Sequence, residues 1–386
     1  MNAPDPMRAP ADGAGLLRRQ QQRQRIARSL RLPLALLAAL AAGFLIILAV
    51  SDEPVHAFLV LITGALPRLQ WNAGDGWQLT RLVRFGALVE DATTLCLLGL
   101  AVALPFQARQ FSLGADGQMF LGALAATVVS LFVPGPWFVV LPLAVLAACA
   151  TGFAWGVMPG LLKTRCNANE IVTTLMLNIV AVQFYRWMVT DVLRDPGAGF
   201  IVTPLLPEAL QLPLLLARTK VNLMLLLVPL AVGAAWLLLM RTTLGYEIRV
   251  VGQAPAFARQ AGMPAARAVW LSMAIGGVFA ALAGVHISHG LLGRLPVDLP
   301  PGLGYEGLLV ALLARNAPRD IPAAALLYAW LRTGALAMER GTDVPHEVVL
   351  VIQALVILFV VSERLLPSVA EGWLRLRRLA CKGRAR

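Results

Sequence analysis

Ten apolar runs follow one another along the 386 residues, and few folds can accommodate them. They cover 33–50, 83–106, 112–132, 137–158, 170–190, 222–240, 267–288, 302–314, 321–338 and 347–362. A bilayer core takes about 20 apolar residues per helix, and most of these runs reach or approach that length. Without water, every backbone polar group must find a partner inside the segment, which leaves helices as the spanning element for runs of this kind. Composition agrees: charged residues make up only 14% and hydrophobic ones 58%, whereas a soluble domain carries about 25% charged residues. The expectation is an all-α integral membrane protein of about ten transmembrane helices, with 302–314 and 347–362 the shortest. The run Val55 to Leu66 is too short to span and is expected to lie along the outer surface, with Trp71 and Trp77 of the same loop suited to an interface.

Lys and Arg set the orientation. With both termini inside, the inner segments carry 23, counting Arg267 at the end of the 241–266 loop, and the outer loops carry 7. That asymmetry favours cytoplasmic termini. The expected organisation is a basic cytoplasmic tail at 1–32, a transmembrane permease domain at 33–362 and a second basic tail at 363–386. The 33–50 run is read as an anchor, because a cleaved leader has a shorter apolar stretch. The N-terminal tail is suited to anionic lipid head groups. A net charge of +12 does not point to nucleic acid, because the cations are scattered between apolar runs. Cys96, Cys149, Cys166 and Cys381 have neither metal nor redox spacing. No metal site or catalytic constellation is expected.

The longest inner loop, 241–266, carries a short helical pattern after Gly252: Pro255 in its first turn, then Ala256, Phe257, Ala258 and Ala261, with Gly262 as the stop. It is too short and too polar to span. A small helix with one aromatic side chain suits a partner's groove, and an ordinary amphipathic loop helix remains the alternative.

The loop segment Thr243-Leu-Gly-Tyr-Glu-Ile-Arg-Val-Val-Gly-Gln-Ala-Pro255, followed by Ala258-Arg-Gln-Ala-Gly-Met263, resembles the equivalent loop of ABC importer permeases of the simple-sugar and branched-chain amino acid superfamily. Phe111-Ser-Leu-Gly-Ala-Asp-Gly-Gln118, Asn169-Glu-Ile-Val-Thr-Thr-Leu-Met-Leu-Asn178 and Gly302-Leu-Gly-Tyr-Glu-Gly-Leu-Leu-Val-Ala-Leu-Leu-Ala-Arg-Asn-Ala-Pro318 resemble three signatures of its nucleoside-type branch, in the same order. The chain departs from those patterns at Ser112, Asp116, Tyr305, Glu306 and Ala314. The resemblance implies a permease subunit that binds no cofactor itself. It would work beside a second, paralogous permease, a cytoplasmic ATPase that uses ATP and Mg, and an extracytoplasmic substrate-binding lipoprotein. The chain itself has no phosphate-binding Gly-x-x-x-x-Gly-Lys motif. By the same resemblance the 241–266 loop couples the permease to the ATPase through Gly245, Glu247, Arg249, Gly252, Pro255, Phe257, Arg259 and Gly262. Phe257 is the expected buried anchor, and nucleosides or simple sugars are the implied cargo.

Polar residues inside the runs divide between two readings. Glu170, Thr174 and Asn178 share one helix face, flanked by Thr173; with Gln118 they are candidates for lining the translocation path. The alternative is hydrogen bonding between helices. Asp116 is expected to serve its own helix start. Adjacent Glu90 and Asp91 admit a proton relay, hence a proton-coupled secondary transporter, or a wet outer vestibule. An importer of branched-chain amino acids is the remaining alternative. His286 and His289 have i, i+3 spacing without an evident third metal ligand.

Overall fold

The computed structural model describes residues 37–72, 76–80, 82–216 and 218–362; the two basic tails expected at 1–32 and 363–386 lie outside them. The helices are α1 Leu37–Val50, α2 Pro54–Thr63, α3 Leu82–Gln107, α4 Ala115–Phe132, α5 Trp137–Cys166, α6 Glu170–Trp187 and α7 Met224–Arg241. They continue as α8 Thr243–Gln253, α9 Pro255–Gln260, α10 Ala265–Val285, α11 Leu303–Leu313, α12 Ile321–Gly341 and α13 His346–Ser362. Wider π-helical turns extend α6 through Met188–Val192 and α10 through His286–Leu292.

Seven of the ten expected spans are long and apolar enough to cross a membrane: α3, α4, α5, extended α6, α7, extended α10 and α12. The described parts of the other three are shorter. The 302–314 run needs correction as a full span. Its helix, α11, has 11 residues, about 16 Å of rise against a core of about 30 Å. Non-helical chain with turns precedes it, from 293 to 302. Leu295 pairs with Thr203 beyond the end of α10, while the Asn316 carbonyl accepts from Gln107 Nε2 at the opposite end of α3. The segment 293–316 therefore traverses the bundle as loop first and half-helix second.

The chain is also not wholly helical. Arg68–Asn72 and Gly76–Thr80 form an antiparallel hairpin, β1 and β2, with Leu69 opposite Leu79 and Trp71 opposite Trp77. Apolar and polar residues alternate along both segments, the period of a strand, where a surface loop was expected.

Two compact units are distinguished, residues 60–337 and the terminal segments 37–59 with 338–362. In the terminal unit, Asp343 accepts from Ser51 Oγ and the Asp52 N–H, both at 2.7 Å, and these bonds hold its carboxyl below the usual carboxylate range. In the larger unit α3, α4 and α10 form the centre, with 72% of their spanning windows buried, and α5, α6 and α7 form the periphery at 22%. Small residues let α5 pack closely on α10. Along α5, Gly152, Gly156 and Gly160 recur every fourth position and meet Gly277, Met273 and Trp270 of the antiparallel α10. A Cβ on Gly152 would strike the Gly277 carbonyl, and one on Gly277 would strike Gly152. Where lipid and side chains are equally apolar, such close backbone approach and dispersion hold helices together.

Candidate functional site

The 241–266 loop is built from two helices rather than one. Thr242 caps α8, its Oγ1 accepting from the Gly245 N–H at 3.1 Å. Gly245, Ile248 and Val251 then fall on one buried face. Gly245 sits where a Cβ would meet the backbone of Leu238 and Leu239, and Gly252 lies against the Gln107 carbonyl at the end of α3. Both glycines thus clamp α8 to the bundle. The polar surface of α8 suggests a connecting loop, whereas the Thr242 cap and the i, i+3, i+6 apolar spacing signal a helix.

The second helix, α9, falls inside the expected limits. Pro255 occupies its first turn. At its end Gly262 has φ +72°, its N–H bonds the Arg259 carbonyl at 3.1 Å, and the Met263 N–H bonds the Ala258 carbonyl at 3.0 Å. Those two bonds make a Schellman stop, which needs a residue tolerant of positive φ. Ala258 is buried and fastens the helix, whereas Phe257 is 56% exposed. A fastened helix therefore presents an aromatic ring outward. Arg249 and Arg259 fold back on their own helices, through Gly245 and Pro255 carbonyls at 3.4 and 3.3 Å. Among the described residues no ion pair within 4 Å joins either to Glu247. Beside α9 opens a cleft of about 310 Å³, with Val251, Ala265 and Val269 in its wall and Arg109, Lys163 and Arg259 among its lining residues.

Deeper in the bundle, Thr174 and Asn178 bind the stretch that leads into α4. Asn178 Nδ2 donates to the Leu113 carbonyl at 2.6 Å, its Oδ1 accepts from the Gly117 N–H at 2.9 Å, and Thr174 Oγ1 accepts from the Leu113 N–H at 3.2 Å. Both side chains are buried. Of the two readings, these contacts support hydrogen bonding between helices for this pair. Thr173 turns to its own helix, donating to the Asn169 carbonyl at 3.0 Å. Gln118 is buried beside Gly277 of α10, so it meets a different neighbour from Asn178. Glu170 pairs with Lys163 across the turn from α5, at 2.9 Å. Asn178→Ala is expected to lower stability by about 1–3 kcal/mol, since it leaves the Gly117 N–H without its acceptor. Melting of the detergent-solubilised chain reads that loss, and a changed cargo preference with unchanged melting would overturn it.

Asp116 works on a neighbour as well as at its own helix start. Its Oδ1 accepts from the Gly304 N–H at 2.6 Å and its Oδ2 from the Gly302 N–H at 3.1 Å, so it caps α11. Gly302, with φ +116°, begins that helix. The carboxylate thereby joins the FSLGADGQ segment to the GLGYEG segment. The charged pair on α3 is likewise engaged. Asp91 lies 3.6 Å from Arg332 Nη1, which also bonds Glu306 at 2.9 Å. Glu90 lies within electrostatic reach of Lys220, whose ammonium group bonds the Leu291 carbonyl at 3.0 Å. Sequence singled out the two carboxylates but not their cationic partners, which come from far along the chain.

His286 and His289 are buried among hydroxyls. His286 Nδ1 is 2.9 Å from Thr94 Oγ1, and His289 reaches Ser130 and Ser288, both at 2.8 Å. Among the described residues no group of three or more His, Cys, Asp or Glu side chains is placed to hold a metal ion.

Residues 85–361 match the family described as the branched-chain amino acid transport system permease component. The chain is 35% identical over 340 residues to the glucose ABC transporter permease protein TsgB13 of Haloferax volcanii, covering 85% of this chain and 86% of that one. It is 32% identical to the guanosine ABC transporter permease protein NupP of Bacillus subtilis, covering 85% and 92%. It is 28% identical to the nucleoside ABC transporter permease protein NupB of Lactococcus lactis, covering 85% and 89%. No solved structure matches.

Proposed function

As the chain belongs to the family of branched-chain amino acid transport system permease components, and is thus a multi-pass membrane subunit of an ABC transporter, we propose that it imports nucleosides or simple sugars. The observation that carries this reading is the likeness over most of the chain to permeases named for glucose, guanosine and nucleosides. Both termini are cytoplasmic in this proposal, and the chain crosses the membrane about ten times, α11 completing one passage as a half-helix. The chain pairs with a second permease and receives cargo from an extracytoplasmic binding lipoprotein. ATP and Mg are used by a separate ATPase, which α8 and α9 engage. Phe257 enters a groove of that ATPase, and the capped, glycine-clamped pair of helices passes its motion to α7 and α10 as a rigid unit.

A proton-coupled carrier working through Glu90 and Asp91 is less well supported, because the likeness over most of the chain is to permeases of ABC transporters. Uptake separates the readings. Labelled adenosine, uridine and ribose are followed in cells with and without this gene, with and without a protonophore, and without the neighbouring ATPase. Loss of nucleoside uptake in both deletions is the expected result. Loss of ribose uptake alone keeps the importer and moves the cargo to sugars. Uptake that survives without the ATPase would overturn the coupling role.

A further inference from the structure

Three charged side chains from three helices meet inside the bundle: Asp91 of α3, Glu306 of α11 and Arg332 of α12. Asp91 is nine residues into the 26-residue α3, about 14 Å along its axis. Arg332 is eleven residues into α12, about 16 Å along. Asp91 therefore stands roughly a third of the way along α3 and Arg332 about midway along α12, and Glu306 stands in the first turn of the half-helix. None is sealed. The side chains of Asp91, Glu306 and Arg332 are 31%, 26% and 26% exposed. A charge at this depth is costly against lipid and turns to protein or to a water-filled path. The backbone before α11 argues the same way, since non-helical chain at membrane depth is tolerated only where protein buries it or it lines a cavity.

We propose that Asp91, Glu306 and Arg332 are specificity-determining residues at an intramembrane waypoint that passes uncharged, hydroxyl-rich cargo. The inference rests on the importer reading above and names what recognises the cargo within the bundle. Two carboxylates face one guanidinium, so acceptors are in excess. Arg332 Nη1 reaches both carboxylates, at 3.6 and 2.9 Å, and so fixes them relative to one another. Their remaining lone pairs accept from vicinal hydroxyls, as a ribose or hexose offers. The Tyr328 phenol, one turn earlier on α12, lies within electrostatic reach of all three and adds a neutral donor. Phosphorylated or carboxylated cargo is repelled by the same excess of negative charge. Asp116, which holds the start of α11, lies within electrostatic reach of Glu306.

The test uses the complete transporter, with both permeases, ATPase and binding protein, in proteoliposomes at saturating cargo. Uridine and 2′,3′-dideoxyuridine are compared in wild type and in Glu306→Gln and Asp91→Asn, with melting and basal ATP hydrolysis as controls. Each variant is expected to reduce the maximal uridine rate about tenfold or more, with a much smaller effect on the dideoxy cargo, so the ratio of the two rates falls whatever the loss of the ion pair does to melting. Equal loss for both cargoes overturns the proposal, as does an unchanged rate ratio in both variants. Exchanging the pair, Glu306→Arg with Arg332→Glu, supplies a second arm. Full restoration of the wild-type ratio by that exchange reduces the cluster to a structural ion pair. If wild type carries ribose but neither nucleoside, ribose against 2-deoxyribose replaces the nucleoside pair. A wild-type transporter that carries none of these overturns the importer reading along with this one.

Discussion

Phe257→Asp is expected to remove the ATPase from the complex and abolish uptake, while the permease stays folded in the membrane. Phe257 is exposed on α9, and the helix is fastened by its neighbour Ala258 and by the stop at Gly262, not by the ring. The substitution therefore leaves the permease's own core alone. At an interface, loss of a buried aromatic anchor costs about 2–4 kcal/mol, and a buried unpaired carboxylate adds to that. Co-purification of the ATPase with tagged permease measures the effect, with melting of the permease as control. Normal ATPase recovery with the variant would remove Phe257 as the anchor. A conservative Phe257→Leu keeps apolar area and is expected to retain part of the association.

Asp116→Ala is expected to act through the fold instead. The side chain is buried and meets two backbone donors, Gly302 N–H and Gly304 N–H, at the start of α11. Water cannot replace an acceptor readily at that depth. Each stranded donor costs about 1–3 kcal/mol, so the variant loses about 2–6 kcal/mol, a large part of a typical stability margin. Asp116→Asn keeps one acceptor oxygen and is expected to fall between. The readouts are the amount of chain accumulating in the membrane and its melting temperature in detergent. Wild-type melting of Asp116→Ala would show that α11 does not depend on this cap.

Much of this was legible from the order of residues, and the misses have physical causes. The α9 helix was readable because its signals are local: a proline that suits a first turn, a glycine that suits a positive-φ stop, and small residues between them. The α8 helix carried equally local signals in Thr242, Ile248 and Val251, but its polar surface made it look like a linker. The β1–β2 hairpin is masked in the same way, its strands being short and half polar. Asn178 was ambiguous for a different reason. A polar residue on an apolar helix faces either a path or a neighbour, and sequence spacing cannot say which neighbour lies opposite. The answer, Leu113 and Gly117, sits some 60 residues away.

Hydropathy and charge placement, which depend on each residue's own transfer free energy, determined that the chain is a membrane protein and set out most of its spans. Ordered signatures, which need only adjacent residues, determined its family. Tertiary structure alone decided which polar groups meet. Asp116 caps a helix 186 residues onward, Arg332 bridges Asp91 and Glu306, and the Gly152–Gly277 approach seats α5 against α10. Those pairings depend on helices crossing at short range in three dimensions, where the penalty for an unmatched polar group is imposed by neighbours remote in the chain.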